Sequence, residues 1–403
     1  MGRPPDNGAT DCAAATGYHL GMHRLRSFGR APIVAAAGAS ALVLGLAAWF
    51  VLGFGSTPQP LPSATETISA TPSVSPSPSP TPSPTPSPSP EPAIACPLTG
   101  LPVDDPSLLE HTALAVQIEN NPLARPARNL SNADMVVEAP VEGDTTRFIA
   151  IYLCRATVGL TGPIRSARYY EVDLWQDLGV LPVGFGASPG ALQRFAAAAM
   201  PYVNGITGAW PWFARHGTYP APHNLYGDVE AIRGALGAGG KIDRLAAQVG
   251  PLRPQFAFNA AAVLPAGRPV QAIEIRTNRT WRFGWWWNAT DREWARQDAG
   301  TGVTDEVTGT SIMAAHVVVQ RVTQEVVYGD PDPGGNPRRL QHLVGKGDGT
   351  LYTGGRAIDV RWSRPTAADG TRWTYADSGE PVVLPPGVVW WEIVPITAPV
   401  TES

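Results

Sequence analysis

Cysteine is scarce in this sequence. Only Cys12, Cys96 and Cys154 occur, too few for a disulfide scaffold. With no cysteine cluster and no close-spaced histidine pair on one helix face, no metal and no cofactor are expected. Charge is sparse as well: Asp, Glu, Lys and Arg make up 16% of the residues, and the net charge is -4. No global basic field exists to recruit nucleic acid or anionic lipid, so no nucleic-acid partner is expected. From Pro32 to Phe54 charge is missing altogether. What the chain does have is 42 Gly, 42 Pro and 13 Trp. Such a composition favours turns and a β-rich core filled by large rings, which can also stack on sugars.

A chain of 403 residues allows two or three domains. Residues 1–31 read as a disordered cytoplasmic tail holding Cys12, with Arg24, Arg26 and Arg30 near its end. Residues 32–54 form an apolar run long enough to cross a bilayer, which takes about 20 residues as helix. The arginines precede it and the first charge after it is Glu66, so the N-terminus is expected inside. A cleaved signal peptide is the alternative, with Gly53 and Gly55 as small residues before a cut. No cysteine follows closely, so lipid attachment there is not expected. Residues 55–93 are a Ser/Pro-rich linker that cannot form helix or sheet, because proline removes donors and fixes φ. Together these segments predict a single-pass membrane protein whose folded part lies outside the cell.

The folded part begins near Cys96. Short apolar runs predict strands at Leu114–Ile118, Ala133–Glu138, Thr146–Tyr152 and Val180–Phe185. Helices are expected at Gly190–Met200, Asp228–Leu236 and Ile242–Val249. Mixed this way, they predict an α/β or α+β domain over 96–250. After Pro251–Pro254 strands dominate, from Val270–Arg276 to Val388–Val394, and predict a smaller β-rich domain over 255–398.

Several motifs resemble the YerB-like family. They are Cys96-Pro-Leu-Thr-Gly-Leu, Ala133-Asp-Met-Val-Val-Glu-Ala-Pro-Val-Glu-Gly, Gly162-Pro-Ile-Arg-Ser-Ala-Arg, Ala187-Ser-Pro-Gly-Ala-Leu and Pro222-His-Asn-Leu-Tyr. Towards the C-terminus Val317-Val-Val-Gln, Arg361-Trp-Ser and Gly387-Val-Val-Trp-Trp-Glu-Ile-Val-Pro continue the match. The family comprises bacterial surface proteins, often lipoproteins, and is classed as a domain of unknown function. The resemblance implies a two-domain extracytoplasmic protein and names no reaction. This chain departs from the lipoprotein pattern, having an apolar span and a Ser-Pro stalk in place of a lipid anchor.

The candidate ligand-binding residues are Glu142, Arg147, Arg165, Arg168, His223, Asn224 and Tyr226. Arg165, Arg168, His223 and Asn224 sit at turns that follow apolar runs, where open α/β sheets place their clefts. Planar guanidinium forks suit carboxylate or phosphate. The alternative is structural: Glu138 or Glu142 pairs with Arg147 or Arg165 inside a buried turn. Arg165, Arg168, His223 and Asn224 are expected to meet in one pocket. Gly186-Ala-Ser-Pro-Gly190 matches a nucleophile elbow literally, but Pro189 has no N–H to give an oxyanion hole. Ser188 therefore reads as a helix N-cap with Pro189 at the first helical position. Cys96 and Cys154, on the oxidising side of the membrane, are expected to form a disulfide, two separate thiols being the alternative.

Three functions remain open on this reading. One is binding of a cell-envelope component, anionic or glycan, outside the cell. A second is an envelope hydrolase or transferase using Glu142 or Glu138 with His223 as acid and base. The third is a scaffold that contacts only other proteins.

Overall fold

The computed structural model describes residues 94–217, 219–277 and 281–403. The expected tail, membrane span and linker, with Cys12, lie outside the described residues. Among the described residues no helix is long and apolar enough to cross a membrane.

The fold is β-rich in two parts. The first part supplies β1 (Leu114–Glu119), β2 (Met135–Pro140), β3 (Thr146–Tyr152), β4 (Leu181–Gly184), β5 (Val203–Asn204), β6 (Phe213–Arg215) and β7 (Leu225–Gly227). It also holds α1 (Glu171–Leu178), α2 (Pro189–Ala197), α3 (Val229–Gly234) and α4 (Lys241–Ala246). The second part holds strands and, among the described residues, no helix. Its strands include β8 (Ala272–Arg276), β9 (Arg282–Asn288), β10 (Glu293–Asp298), β11 (His316–Val322), β12 (Gly345–Thr353), β13 (Arg356–Arg364), β14 (Arg372–Tyr375), β15 (Val389–Pro395) and β16 (Val400–Glu402).

One mixed sheet runs through both parts, in the order β14-β13-β12-β11-β15-β2-β3-β1-β4-β5. The join is the parallel pair β2–β15, with Met135 beside Val389 and Glu138 beside Glu392. A smaller sheet holds β10-β9-β8-β16 and packs on one face. Helices α1 and α2 cover the other face through Leu174, Trp175 and Phe195. Along β3, Phe148, Ala150 and Tyr152 enter one core while Ile149 and Ile151 enter the opposite one. A strand buried on both faces has no polar alternation, which is why β1, β2, β3 and β15 read as continuous apolar runs.

The tryptophans serve this core. Trp175, Trp285, Trp294, Trp390 and Trp391 are fully buried. Trp362 and Trp373 lie across Gly347 and Gly349 of β12. A Cβ on Gly347 would come within 2.7 Å of the Trp362 indole nitrogen. The Gly-Lys-Gly-Asp-Gly run is thus a glycine strip under two rings.

Cys96 and Cys154 form a disulfide with their Cα atoms 5.8 Å apart. Beside it, buried Asp134 accepts backbone N–H bonds from Leu153 and Cys154 at 2.7 and 2.8 Å. Ser188 caps α2, its Oγ accepting from Ala191 N at 3.3 Å, with Pro189 opening the helix. The carboxylate of Asp330 adds to the same helix end, accepting from Gly190 N at 3.2 Å and the Tyr169 hydroxyl at 2.6 Å.

Three elements differ from the sequence reading. α1 shows no helical stripe in sequence because Glu171 and Asp177, normally outward residues, are buried here. β12 is nine residues long although only Leu351–Tyr352 reads as strand, since its first half is the glycine strip. The hairpin Gln324–Val327/Arg338–Gln341, polar at most positions, reads as loop, yet it crosses from the second part to touch the first.

Candidate functional site

The site grows from the place where β1 and β4 part. These strands pair in parallel through Val116 and Val183. Beyond that point the segment Pro163–Ala167 enters between their ends. Arg165 N donates to Gln117 O at 2.9 Å, and Phe185 N donates to Arg165 O at 3.0 Å. Gly184 permits the approach: a Cβ there would meet Arg165 O at 2.9 Å and Gln117 Cγ at 3.0 Å. The insertion sets Arg165, Ser166 and Arg168 at the carboxyl end of parallel strands, the usual place for a cleft in such sheets.

An outer group forms on Glu119, the last residue of β1. Its Oε1 lies 3.5 Å from Arg165 Nε and 3.1 Å from His223 Nδ1. The His223 contact is close but off the hydrogen-bond line, so Nδ1 has no aligned partner. Glu119 itself is buried, while Arg165 and His223 keep partial exposure. His223 is carried by the loop between β6 and β7, whose next residue, Asn224, accepts from Arg215 at 2.6 Å. Burial pushes the Arg165 guanidinium down, against the pull of Glu119, and Arg168 and Arg215 push the same way as burial.

An inner group lies behind it. Glu142 holds Arg168 in a two-pronged pair, with Arg168 Nε donating to Oε2 at 2.7 Å. Arg338, from the hairpin of the second part, donates to Glu142 Oε1 at 2.5 Å. Burial alone would raise the Glu142 carboxyl, but Arg168, Arg147 and Arg338 hold it below the ordinary range. Arg147 donates to Ser166 O at 2.9 Å, while its Nε has no partner. Burial, then repulsion from Arg168 and Arg165, pushes its guanidinium down to about 9. Glu171 is fully buried with neither oxygen bonded, and burial pushes its carboxyl up to about 8 despite Arg168 and Arg147. At neutral pH it is mostly protonated. The Gln117 amide is also buried without partners.

The structure thus unites Arg165 and His223 on one carboxylate and sets Arg168 and Arg147 a layer deeper. Asn224 stands at the outer rim through Arg215. Tyr226 is buried, its ring edge-on to His216 at 5.9 Å, and faces the core. Glu138 pairs with neither Arg147 nor Arg165. Its partner is Arg296 of β10, with contacts of 2.8, 3.0 and 3.2 Å. Sequence reasoning overlooked Glu119 as the carboxylate of the site, although the strand visibly ends there. Arg338, distant in sequence, gave no local signal.

The Glu138 centre is a separate network. Thr146, Asn120, Arg296 and the Trp390 indole all donate to its two oxygens. Asn120 accepts from Arg125, Arg125 contacts Asp298 at 2.5 Å, and Arg296 contacts Asp298 at 2.9 Å, which closes a ring. Beside this ring lies a cavity of about 260 Å³ lined by Arg125, Pro126, Asp298 and residues 301–304.

Two family models match the chain. Residues 98–241 match the N-terminal domain, and residues 273–391 the C-terminal domain, of a protein of unknown function (DUF3048). YerB of Bacillus subtilis (strain 168), described as a candidate lipoprotein, is 29% identical over 304 residues, 75% of this chain and 86% of that protein. The crystal structure of YerB protein from Bacillus subtilis superposes with a TM-score of 0.63 at 26% identity, covering 76% of this chain and 99% of that one. Both parts of the sheet, and the segments carrying Glu119, Arg165, Arg168 and His223, fall within these matches: the chain belongs to the DUF3048 family.

Proposed function

We propose that this protein is a membrane-anchored, extracytoplasmic binder of an anionic cell-envelope component, held at the Glu119–Arg165–His223 edge. One observation carries the reading. Arg147, Arg165 and Arg168 cluster around two carboxylates, Glu119 and Glu142, while burial pushes a third, Glu171, up to about 8. The cluster holds more positive than negative charge, and that surplus adds to burial in pushing the Arg147 guanidinium down. An anion at the exposed edge relieves it, and guanidinium groups suit carboxylate or phosphate. The location is supported by three features: the charge-free run Pro32–Phe54, the Cys96–Cys154 disulfide, which suits an oxidising compartment, and the lipoprotein description of YerB.

A second reading, an envelope hydrolase or transferase, rests on the 3.1 Å contact between Glu119 and His223, a carboxylate–imidazole pair. Its carboxylate would be Glu119. Glu142 and Glu138, the acids expected from sequence, are each occupied by arginine.

The detergent-solubilised full-length chain is incubated with purified cell wall. Retention without release is the expected outcome, and Arg165→Ala should abolish most of it. Released wall fragments would favour the hydrolase, and neither retention nor release would leave only a scaffold. Protease added to intact cells should remove the folded part, and its survival would refute the outside location.

A further inference from the structure

We propose that the outer group is a proton-gated site for a tetrahedral, phosphate-type anion, with His223 as the gate. The inference rests on the anion-binding reading and names its ligand class and its control. Arg165 and His223 come from different segments yet share one oxygen of Glu119, at 3.5 and 3.1 Å. Arg215 stands at the rim, tied to Asn224 at 2.6 Å. These donors lie on two stretches of chain, the inserted segment and the β6–β7 hairpin. A planar carboxylate is satisfied by one guanidinium fork, whereas donors arriving from several directions suit a tetrahedral anion with more acceptor oxygens.

Glu119 decides how the site responds to protons. Its carboxylate is buried, with Oε2 unbonded, and it lies beside the place an anion would occupy. With His223 neutral, Arg165 alone offsets Glu119, and an incoming anion meets no net attraction from the trio. With His223 protonated, the trio carries one surplus positive charge and a second N–H donor. Binding therefore takes up a proton. The charged groups grouped with the imidazole are Glu119 from β1, 3.1 Å away, and Arg165 from the inserted segment on the same Glu119 oxygen, with Arg215 at the end of β6 held on the neighbouring Asn224. His216, the other histidine of the β6–β7 hairpin, is the control.

Sulfate is the probe, because it is tetrahedral and keeps its charge between pH 5 and 8, so any pH dependence belongs to the protein. Sulfate binding to the full-length chain in detergent is measured by calorimetry across that range. Affinity should fall by about tenfold per pH unit once the ring is neutral. His223→Gln should bind weakly with a flat profile, and His216→Gln should keep the wild-type profile. Glu119→Gln should shift the profile to lower pH, since the protonated ring loses its counter-charge. Acetate should bind more weakly than sulfate at every pH. A flat wild-type profile, or flattening by His216→Gln in place of His223→Gln, overturns the gate while leaving anion binding intact. Acetate binding where sulfate does not overturns the ligand class. Cell-wall retention that depends on Arg165 without any sulfate binding also sinks this inference and spares the broader reading. Loss of both sinks the two together. Circular dichroism of each variant checks that the fold persists.

Discussion

Two arginine–glutamate clusters lie in this molecule, and they are built differently. At the centre of the sheet Glu138 and Arg296 are both fully buried, and every oxygen of Glu138 is bonded. The neighbouring strand places Glu392 beside Glu138, and burial followed by repulsion from Glu138 raises its carboxyl well above the usual range. It sits as a neutral acid against the Trp285 indole nitrogen, 2.9 Å away. Charges here are matched across the two parts of the sheet, and the second oxygen of Glu392 is left without a partner. At the edge, by contrast, Arg147 Nε, Gln117, one oxygen of Glu119 and both of Glu171 lack partners, and positive charge is in excess. The same residue types form a fastener in one place and an unfinished site in the other. Residue type does not separate them. Satisfaction of buried polar atoms and balance of charge do.

The largest test of that contrast is Arg296→Met. Removing it leaves Glu138 buried without its counter-charge, and denaturation should show a loss of about 3–5 kcal/mol. A loss below about 1 kcal/mol would end the fastener assignment. The Cys96–Cys154 bond lies on neither cluster and calibrates the scale. For its sequence separation of 58 residues the chain-entropy estimate is about 4 kcal/mol, so Cys96→Ala with Cys154→Ala should cost about that much. Mass spectrometry of the unreduced chain should find neither thiol free.

Glu171→Gln tests the edge cluster through pH. The folded carboxyl sits at about 8, above its ordinary 4.5, so the fold favours the neutral form. That contribution is complete below about pH 4.5 and is lost as pH rises through about 8. The glutamine variant keeps the neutral group, so its stability should gain on the wild type with rising pH, by about 2–3 kcal/mol between pH 6 and 8. Parallel stability curves would show that Glu171 is already ionised at pH 6.

Arg168→Ala should cost about 2 kcal/mol, the scale of charged hydrogen bonds, since Arg338 still holds Glu142. A large melting-point drop with unchanged ligand binding would assign Arg168 wholly to structure. Arg165→Ala comes last. Its ion contact is long and partly solvated, so stability should change by less than about 1 kcal/mol while anion binding is lost. Unchanged binding would erase the distinction between the two clusters.

Much of the fold was legible in local pattern. Apolar runs marked β1, β2, β3 and β15 because each is buried on both faces. Ser188 and Pro189 announced the start of α2 because a cap needs only neighbouring atoms. α1 was missed because its buried acids erase the apolar stripe, and the hairpin bearing Arg338 because its polar residues face the first part and not solvent. The candidate site was half legible. Loop residues ending apolar runs pointed to Arg165 and His223, yet Glu119, which joins them, read only as the end of a strand.

The sequence by itself determined the charge-free run, the proline-rich segment, the strands and the cap, because each depends on residues within a few positions of one another. Only the tertiary structure decided which arginine meets which carboxylate. Glu138 took Arg296, 158 residues away, and Glu142 took Arg168 and Arg338, 26 and 196 residues away. Ion pairing has no sequence period, since any guanidinium fork fits any carboxylate, so the choice falls to sheet order and loop insertion. Burial then sets the charge each group carries, which is why Glu142 is held ionised while Glu171 is not.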